Sequence, residues 1–430
     1  MKIICALYYY YPYISGLSIY CRKLAEHMLA RGHEVTIVTS RYDRDLDAEE
    51  EVKGVRVIRV PVWFRLDKGV IMGSFLPTII RLGLRSDVVN LHLPMVEAWP
   101  IARLLPKKTV LTYHCQIRLN NRTLLGRLME RGIKSSFRRA IAQAATTVSS
   151  SFDYAANNSD LSDSLEKVTI IPPPIDPVSS DEAAQMQADY FRYRADIPPG
   201  SKVIGFLGRI VYEKGIDFLI HAFTDLQKKH DDLYLIIAGD YTDVAGGSVK
   251  HMLMRYLSAQ DNRIRFTGRL NDAEVDAFYR FIDVLALPSI DAMEAYGMVQ
   301  VEAMLRGTPV VASDLPGVRT VVQRTGMGKV VPRRDPHALA IAIEQVIYQQ
   351  DYTTRSAEEV FRFLDLSSTV QMYEELFKGV GEVSRSGAKP LTAPPAGPAR
   401  APDRDRAIEP SPASSIRLTE NQAHEDHHVC

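Results

Sequence analysis

The stretch EAYGMVQVE carries two carboxylates, Glu294 and Glu302, with seven residues between them and Gly297 in the middle. Two neighbouring carboxylates can act as the acid and nucleophile of glycoside hydrolysis. They can equally grip the hydroxyls of a sugar. A second stretch, GRIVYEKG, spans 208–215 and supplies Gly208, Arg209 and Lys214. Two cations beside a helix start make an anion site, because the first helical amides are unpaired and the helix dipole favours negative charge. Neither GxGxxG nor GxxxxGK[ST] occurs, so an ordinary nicotinamide or P-loop site is not supported. Taken singly, each of these residues is equally a capping or surface group. Taken together they strengthen the anion-site reading, and a hydrolase of uncharged sugars has no use for the cations.

The elements that must position these groups alternate. KIICALYY (2–9) reads as a buried strand, 17–33 as an amphipathic helix stopped at Gly32, and EVTIVTS (34–40) as a strand again. Further strands are expected near 55–60, 86–92, 108–114 and 146–150. The pattern restarts with KVIGFLGRI (202–210) and continues through strands at 233–240, 264–270, 284–289 and 308–313, while 336–378 reads as mostly helical. Short β-rich runs alternating with helices imply parallel sheets wrapped by helices. The fold class is therefore α/β, with two Rossmann-like doubly wound domains facing a cleft. The expected boundaries are 1–178 for the first domain, 179–200 for a linker, 201–364 for the second domain, 365–383 for a helix packing back on the first, and 384–430 for a tail. The tail is rich in Pro, Ala, Ser and charge and is expected to be disordered. In open parallel sheets ligands bind beyond the carboxyl ends of the strands, which is where Arg209, Lys214 and Glu294 fall.

Composition narrows the classes. Hydrophobic residues make up 46%, ample for packed cores. Lys+Arg and Asp+Glu both number 52, which argues against a dedicated nucleic-acid binder. The four cysteines, Cys5, Cys21, Cys115 and Cys430, have no zinc spacing and read as reduced thiols of a cytosolic protein. The start does not read as a signal peptide, and no run of about 18 apolar residues is present. The DxD strings at 43–45, 45–47 and 403–405 and the ending HEDHHVC are weak metal candidates.

Together GRIVYEKGIDFLIHAF, LYLIIAGD, IRFTGRL and EAYGMVQVEAMLRGTPVVASDLPGV resemble the retaining glycosyltransferases of the GT-B fold, specifically glycosyltransferase family 4 (group 1), over about residues 1–380. The resemblance implies transfer of a hexosyl group from a nucleotide-diphosphate sugar with retention of anomeric configuration. It places Arg209 and Lys214 on the donor diphosphate, Glu302 on the ribose and Glu294 on the donor sugar, assisted by the amides of Ala295, Tyr296, Gly297 and Met298. It places Leu270 near the base, Gly208 and Gly16 close to the diphosphate, and His114 toward the donor sugar and reaction centre. His92, ending the preceding strand, is a further candidate. No metal or other cofactor is expected, because the cations and helix start already offset the charge.

Two positions depart from the family pattern. Ser15-Gly16 stands where many relatives have two glycines, and Pro172-Pro173-Pro174 stands where many have Asn-Gly. The prolines are expected to stiffen the segment between the domains. The acceptor is left open. Segment 117–139 carries Arg118, Arg122, Arg127, Arg131, Lys134, Arg138 and Arg139 against one acid, Glu130, with apolar residues at helical spacing. That pattern suits peripheral contact with an anionic membrane, on the inner face of the cytoplasmic membrane, and a lipid- or glycan-linked acceptor. A solvated helix or an anionic-acceptor site are the alternatives for the segment. For the whole chain they are a catalytically inactive nucleotide-sugar-binding protein or a glycosidase.

Overall fold

The computed structural model describes residues 1–66, 69–117, 124–178, 196–240 and 263–386. Arg118, Arg122, the HEDHHVC ending and the 403–405 string lie outside the described residues.

The N-terminal half is built on eight strands in the order β10-β9-β8-β7-β1-β2-β4-β3. These are β1 (Lys2–Ala6), β2 (Glu34–Arg41), β3 (Glu49–Val52), β4 (Val55–Pro61), β7 (Val88–Leu93), β8 (Thr109–Tyr113), β9 (Thr146–Ser149) and β10 (Val168–Ile170). All pairings are parallel except that of the edge strand β3 with β4. A small hairpin, β5 (Phe64–Leu66) and β6 (Gly69–Ile71), stands apart. The central strand β7, VVNLHL, is buried at every position, as a parallel strand covered on both faces must be.

Among the described residues of this half, the helices are α1 (Gly16–Ala30), α2 (Phe75–Gly83), α3 (Ala98–Leu104), α4 (Leu124–Gln143) and α5 (Phe152–Ala156). Ile4, Ala6 and Val38 point to one face and pack with Phe75, Ile101 and Ile141 of α2, α3 and α4. Ile3, Cys5 and Ile37 alternate to the other face and pack with Tyr20 and Leu24 of α1.

The second half has six parallel strands in the order β13-β12-β11-β14-β15-β16. They are β11 (Lys202–Leu207), β12 (Leu233–Ala238), β13 (Ile264–Gly268), β14 (Val284–Leu287), β15 (Val310–Ser313) and β16 (Gly328–Val331). The helices are α6 (Ile216–Leu226), α7 (Asp272–Phe281), α8 (Met298–Met304), α9 (Val318–Thr325), α10 (Pro336–Gln349), α11 (Ala357–Phe363) and α12 (Thr369–Ser386). Strand order reverses between β1 and β7 in one sheet and between β11 and β14 in the other. Those switch points open crevices at the carboxyl ends of the strands, and the β1–α1, β11–α6 and β14–α8 loops leave from them.

Among the described residues the chain crosses between the halves twice. Ile171 packs in the N-terminal core and Ile175 in the C-terminal one, so Pro172-Pro173-Pro174 is the first crossing. Leu366 belongs to the C-terminal core, whereas Tyr373, Phe377 and Val380 of α12 belong to the N-terminal core. The helix is fastened there by a 2.5 Å contact between the Tyr20 and Tyr373 hydroxyls and by the Arg31–Glu374 pair at 2.6 Å. Phe377 is fully buried in that contact. Phe377→Ala is expected to lower unfolding free energy by about 3–5 kcal/mol, the usual cost of emptying a large buried site, measured by urea titration.

Candidate functional site

Two loops of the C-terminal half are stitched together by the backbone. Ile290 N–H donates to the Glu213 carbonyl at 3.0 Å. Gly215 caps α6 with φ 64°, and a Cβ added there would lie 2.2 Å from the Pro288 carbonyl oxygen. Only glycine permits that approach, and the approach brings Lys214 onto the β14–α8 loop. Lys214 Nζ pairs with Glu294 Oε2, and Ser289 Oγ donates to the same oxygen at 3.2 Å. The two side chains are 20% and 15% exposed, so a small opening remains on each. Arg209, one strand end away, lies 3.7 Å from Glu213. Gly208 N–H is bonded to the Ala238 carbonyl at 3.0 Å.

Glu302 sits one turn into α8, which starts at Met298 with Gly297 as its N-cap. Its Oε2 accepts from the buried Tyr279 hydroxyl at 3.0 Å. Its Oε1 lies 3.8 Å from Lys23 Nζ of α1 in the other half. Burial first, and then the Glu302 charge, push the Tyr279 hydroxyl far above its ordinary pKa, so it stays a donor. Gly16, the first residue of α1, stands opposite: a Cβ there would lie 3.8 Å from the Met298 methyl. The Gly16 end of α1 thus lies against the side chain of Met298, the first residue of α8. Leu270 packs its side chain against the C-terminal core just beyond β13. Ala295 and Tyr296 are buried, the first in the N-terminal core and the second in the C-terminal one.

His114 follows β8 and is half-buried, edge-on to the Tyr20 ring at 4.7 Å between centroids. Thr112 Oγ1 donates to Asn90 Oδ1 at 2.9 Å, which turns the amide nitrogen toward His92 Nε2 at 3.2 Å. His92 therefore accepts at Nε2, keeps its proton on Nδ1 and donates to His114 Nε2 at 2.8 Å. The proton of His114 then resides on Nδ1. Burial pushes the His114 imidazole down to about 3. Burial, with the adjacent His114 ring, also holds His92 well below its ordinary value. His114 is thus a neutral hydrogen-bond donor, and the fully enclosed His92 is its support.

The profile of the family described as "Glycosyl transferases group 1" matches residues 189–361, and that of "Glycosyltransferase Family 4" matches 14–179. The chain belongs to the group 1, family 4 glycosyltransferases. It is 28% identical over 399 residues to the phosphatidyl-myo-inositol mannosyltransferase of Mycobacterium leprae, covering 87% of this chain and 95% of that protein. It is 26% identical over 367 residues to the alpha-monoglucosyldiacylglycerol synthase of Streptococcus pneumoniae, covering 81% of this chain and 79% of that one. Among solved structures, Anabaena HepE in complex with UDP-glucose superposes with a TM-score of 0.67 at 18% identity, over 88% of this chain and 99% of that one. The fold is GT-B, and the enzyme is a glycosyltransferase.

Among the sequence-derived residues, the structure brings together Lys214 and Glu294 directly, and Gly16 with Met298 across the cleft. Four partners were not foreseen: Ser289, Tyr279, Lys23 and Tyr154. Lys23 carried a readable signal, because it lies seven residues after Gly16 and so on the same face of α1. The tyrosines carried none, since their roles depend on contacts across sequence separations of 23 and 138 residues. Cys5, Cys21 and His92 are, among the described residues, a cluster whose ligand atoms lie within 4.8 Å. Both ring nitrogens of His92 are already engaged, so the arrangement is that of packed core thiols beside a structural histidine. The 43–47 acids form a turn in which Asp43 Oδ1 accepts from Asp45 N–H at 3.1 Å.

The two histidines set a pH signature. Their folded pKa values lie below the unfolded value of about 6.5, so the unfolded chain binds more protons in the window between. Stability is therefore complete above about pH 6.5 and is lost as pH falls toward 3. Urea midpoints at pH 7.5, 6 and 5 are expected to fall in that order, and His114→Gln to flatten the slope.

Proposed function

We propose that the enzyme is a retaining hexosyltransferase that uses a nucleotide-diphosphate sugar and a hydroxyl of a lipid- or glycan-linked acceptor. The observation that carries the reading is the Lys214–Glu294 pair, held where the β11–α6 and β14–α8 loops are stitched together: it offers a cation for phosphate and a carboxylate for hydroxyls in one loop pair. In this reading Arg209 and Lys214, with the amides at Gly16 and 295–298, hold the diphosphate and stabilise the charge that develops on it as it leaves. Glu294 accepts hydrogen bonds from hydroxyls of the donor sugar, and Glu302 from the ribose. The base lies against the backbone near Leu270. His114, neutral, donates Nδ1–H to the sugar near the reacting carbon. The acceptor hydroxyl attacks on the face from which the diphosphate departs, and the departing phosphate takes its proton. The carboxylates bind rather than act as acid and nucleophile, and no metal is invoked.

A membrane-held acceptor is favoured by the outer surface of the N-terminal half. On α4, Glu130 is buried and paired with Lys134 at 2.7 Å, which leaves the exposed side of the helix to Arg127, Leu128, Arg131, Arg138 and Arg139. The guanidinium of Arg139 lies 5.0 Å over the ring of Trp99 on α3. Next to it, Leu76, Ile80, Leu84 and Leu104 line an apolar groove beside Arg81 and Arg85. No helix of the described residues is long and apolar enough to cross a membrane, so the contact would be peripheral. Two relatives are named for lipid products or acceptors, phosphatidyl-myo-inositol and glucosyldiacylglycerol, which supports the same class here.

Release of nucleoside diphosphate from UDP-glucose, UDP-N-acetylglucosamine and GDP-mannose tests the donor half. Glu294→Ala and Lys214→Ala are each expected to lower it by at least about 100-fold with an unchanged circular dichroism spectrum. Wild-type turnover in both variants would discard the assigned site. The membrane half is tested by flotation. The enzyme is expected to rise with anionic phosphatidylglycerol vesicles at low salt and to be released in about 1 M salt, where charge interactions are screened within about 3 Å. No flotation at low salt would discard the membrane contact.

A further inference from the structure

Helix α5 touches both walls of the cleft. Tyr154 is 2% exposed, and its hydroxyl is used twice. It accepts from the Gln116 backbone N–H at 3.0 Å, two residues beyond His114. It donates to the Ala292 carbonyl at 3.3 Å, two residues before Glu294. The preceding residue, Asp153, grips the same half of the molecule from beside it. Its carboxylate accepts from Gly317 N–H at 2.8 Å, from Arg319 Nε at 2.9 Å and from Arg319 Nη2 at 2.7 Å. Gly317 in turn lies against the donor loop, where an added Cβ would be 2.0 Å from the Ala295 carbonyl oxygen and 3.0 Å from Tyr154 Cβ. Ala295 completes the contact by packing into the N-terminal core with Tyr154.

We propose that Tyr154 is a positioning residue that sets the spacing between the His114 loop and the Glu294 loop, with Asp153 holding the donor side of the bracket. The proposal rests on the reading that His114 and Glu294 face one donor sugar. One hydroxyl that accepts from one wall and donates to the other fixes their separation to within a hydrogen-bond length. Two separate side chains would leave each wall free to drift. A shift of about 1 Å in such a geometry is enough to cost about 100-fold in rate. Of the proposed donor contacts, Arg209, Lys214 and Glu302 stand outside the bridged segment, so the bracket bears more on turnover than on donor binding.

Tyr154→Phe removes both hydrogen bonds at nearly constant volume. In the full chain, with whichever of UDP-glucose, UDP-N-acetylglucosamine or GDP-mannose the wild type turns over, kcat is expected to fall about 10-fold while donor KM stays within about 2-fold. Backbone hydrogen exchange is expected to quicken at both 115–117 and 291–297 and to stay unchanged in the remote strand 34–41. A kcat within 2-fold of wild type, a loss carried mainly by KM, or exchange that quickens at one loop only or at neither, would overturn the bracket. If the wild type turns over none of the three donors, the transferase reading fails instead, and the exchange pattern still decides whether Tyr154 ties the two loops.

Discussion

In the proposed reading of the cleft, the contact between Lys214 and Glu294 reconciles two opposed needs. A cleft that attracts a diphosphate must be electropositive, yet hydroxyl groups are best bound by carboxylates. A carboxylate left alone beside the phosphates would repel them, and a half-buried charge without a partner is costly. Pairing Glu294 with Lys214 cancels most of its field while its remaining lone pairs stay open. Glu302 is treated similarly, by a tyrosine hydroxyl on one oxygen and by Lys23 near the other. The backbone stitch from Ile290 to Glu213 and the close approach at Gly215 exist to hold these pairs in register. The β11–α6 and β14–α8 loops can do so because the sheet reverses its strand order between them.

The N-terminal half contributes geometry more than charge. His92 and His114 are kept neutral by burial, and the order Thr112, Asn90, His92, His114 gives their hydrogen bonds one direction. A protonated His114 would attract the diphosphate but would also lose its bond from His92. Neutrality therefore protects orientation.

Much of this was readable in the sequence, for a physical reason. Buried parallel strands such as VVNLHL are near-continuous apolar runs, and the cations and carboxylates of the site follow such runs within a few residues. The edge elements were not readable. β3 is Glu-rich, β16 begins with glycine, and the β5–β6 hairpin has three residues a side, so none carries a strand-like apolar run. His92 illustrates a second limit. Position at a strand end made it a cleft candidate, but whether a ring faces a cavity or a neighbouring ring depends on what the adjacent strand supplies, here Asn90 and His114. Tyr154 illustrates a third, since nothing local distinguishes a tyrosine that packs from one that bridges two loops.

The two passages of the chain between halves, at the three prolines and again before α12, limit how those halves can move. A body attached at a single point can swivel in any direction. One attached at two points is more restricted, and turns most freely about the line through both. A relative motion of the halves that follows such an arc keeps the same faces of the two sheets opposed.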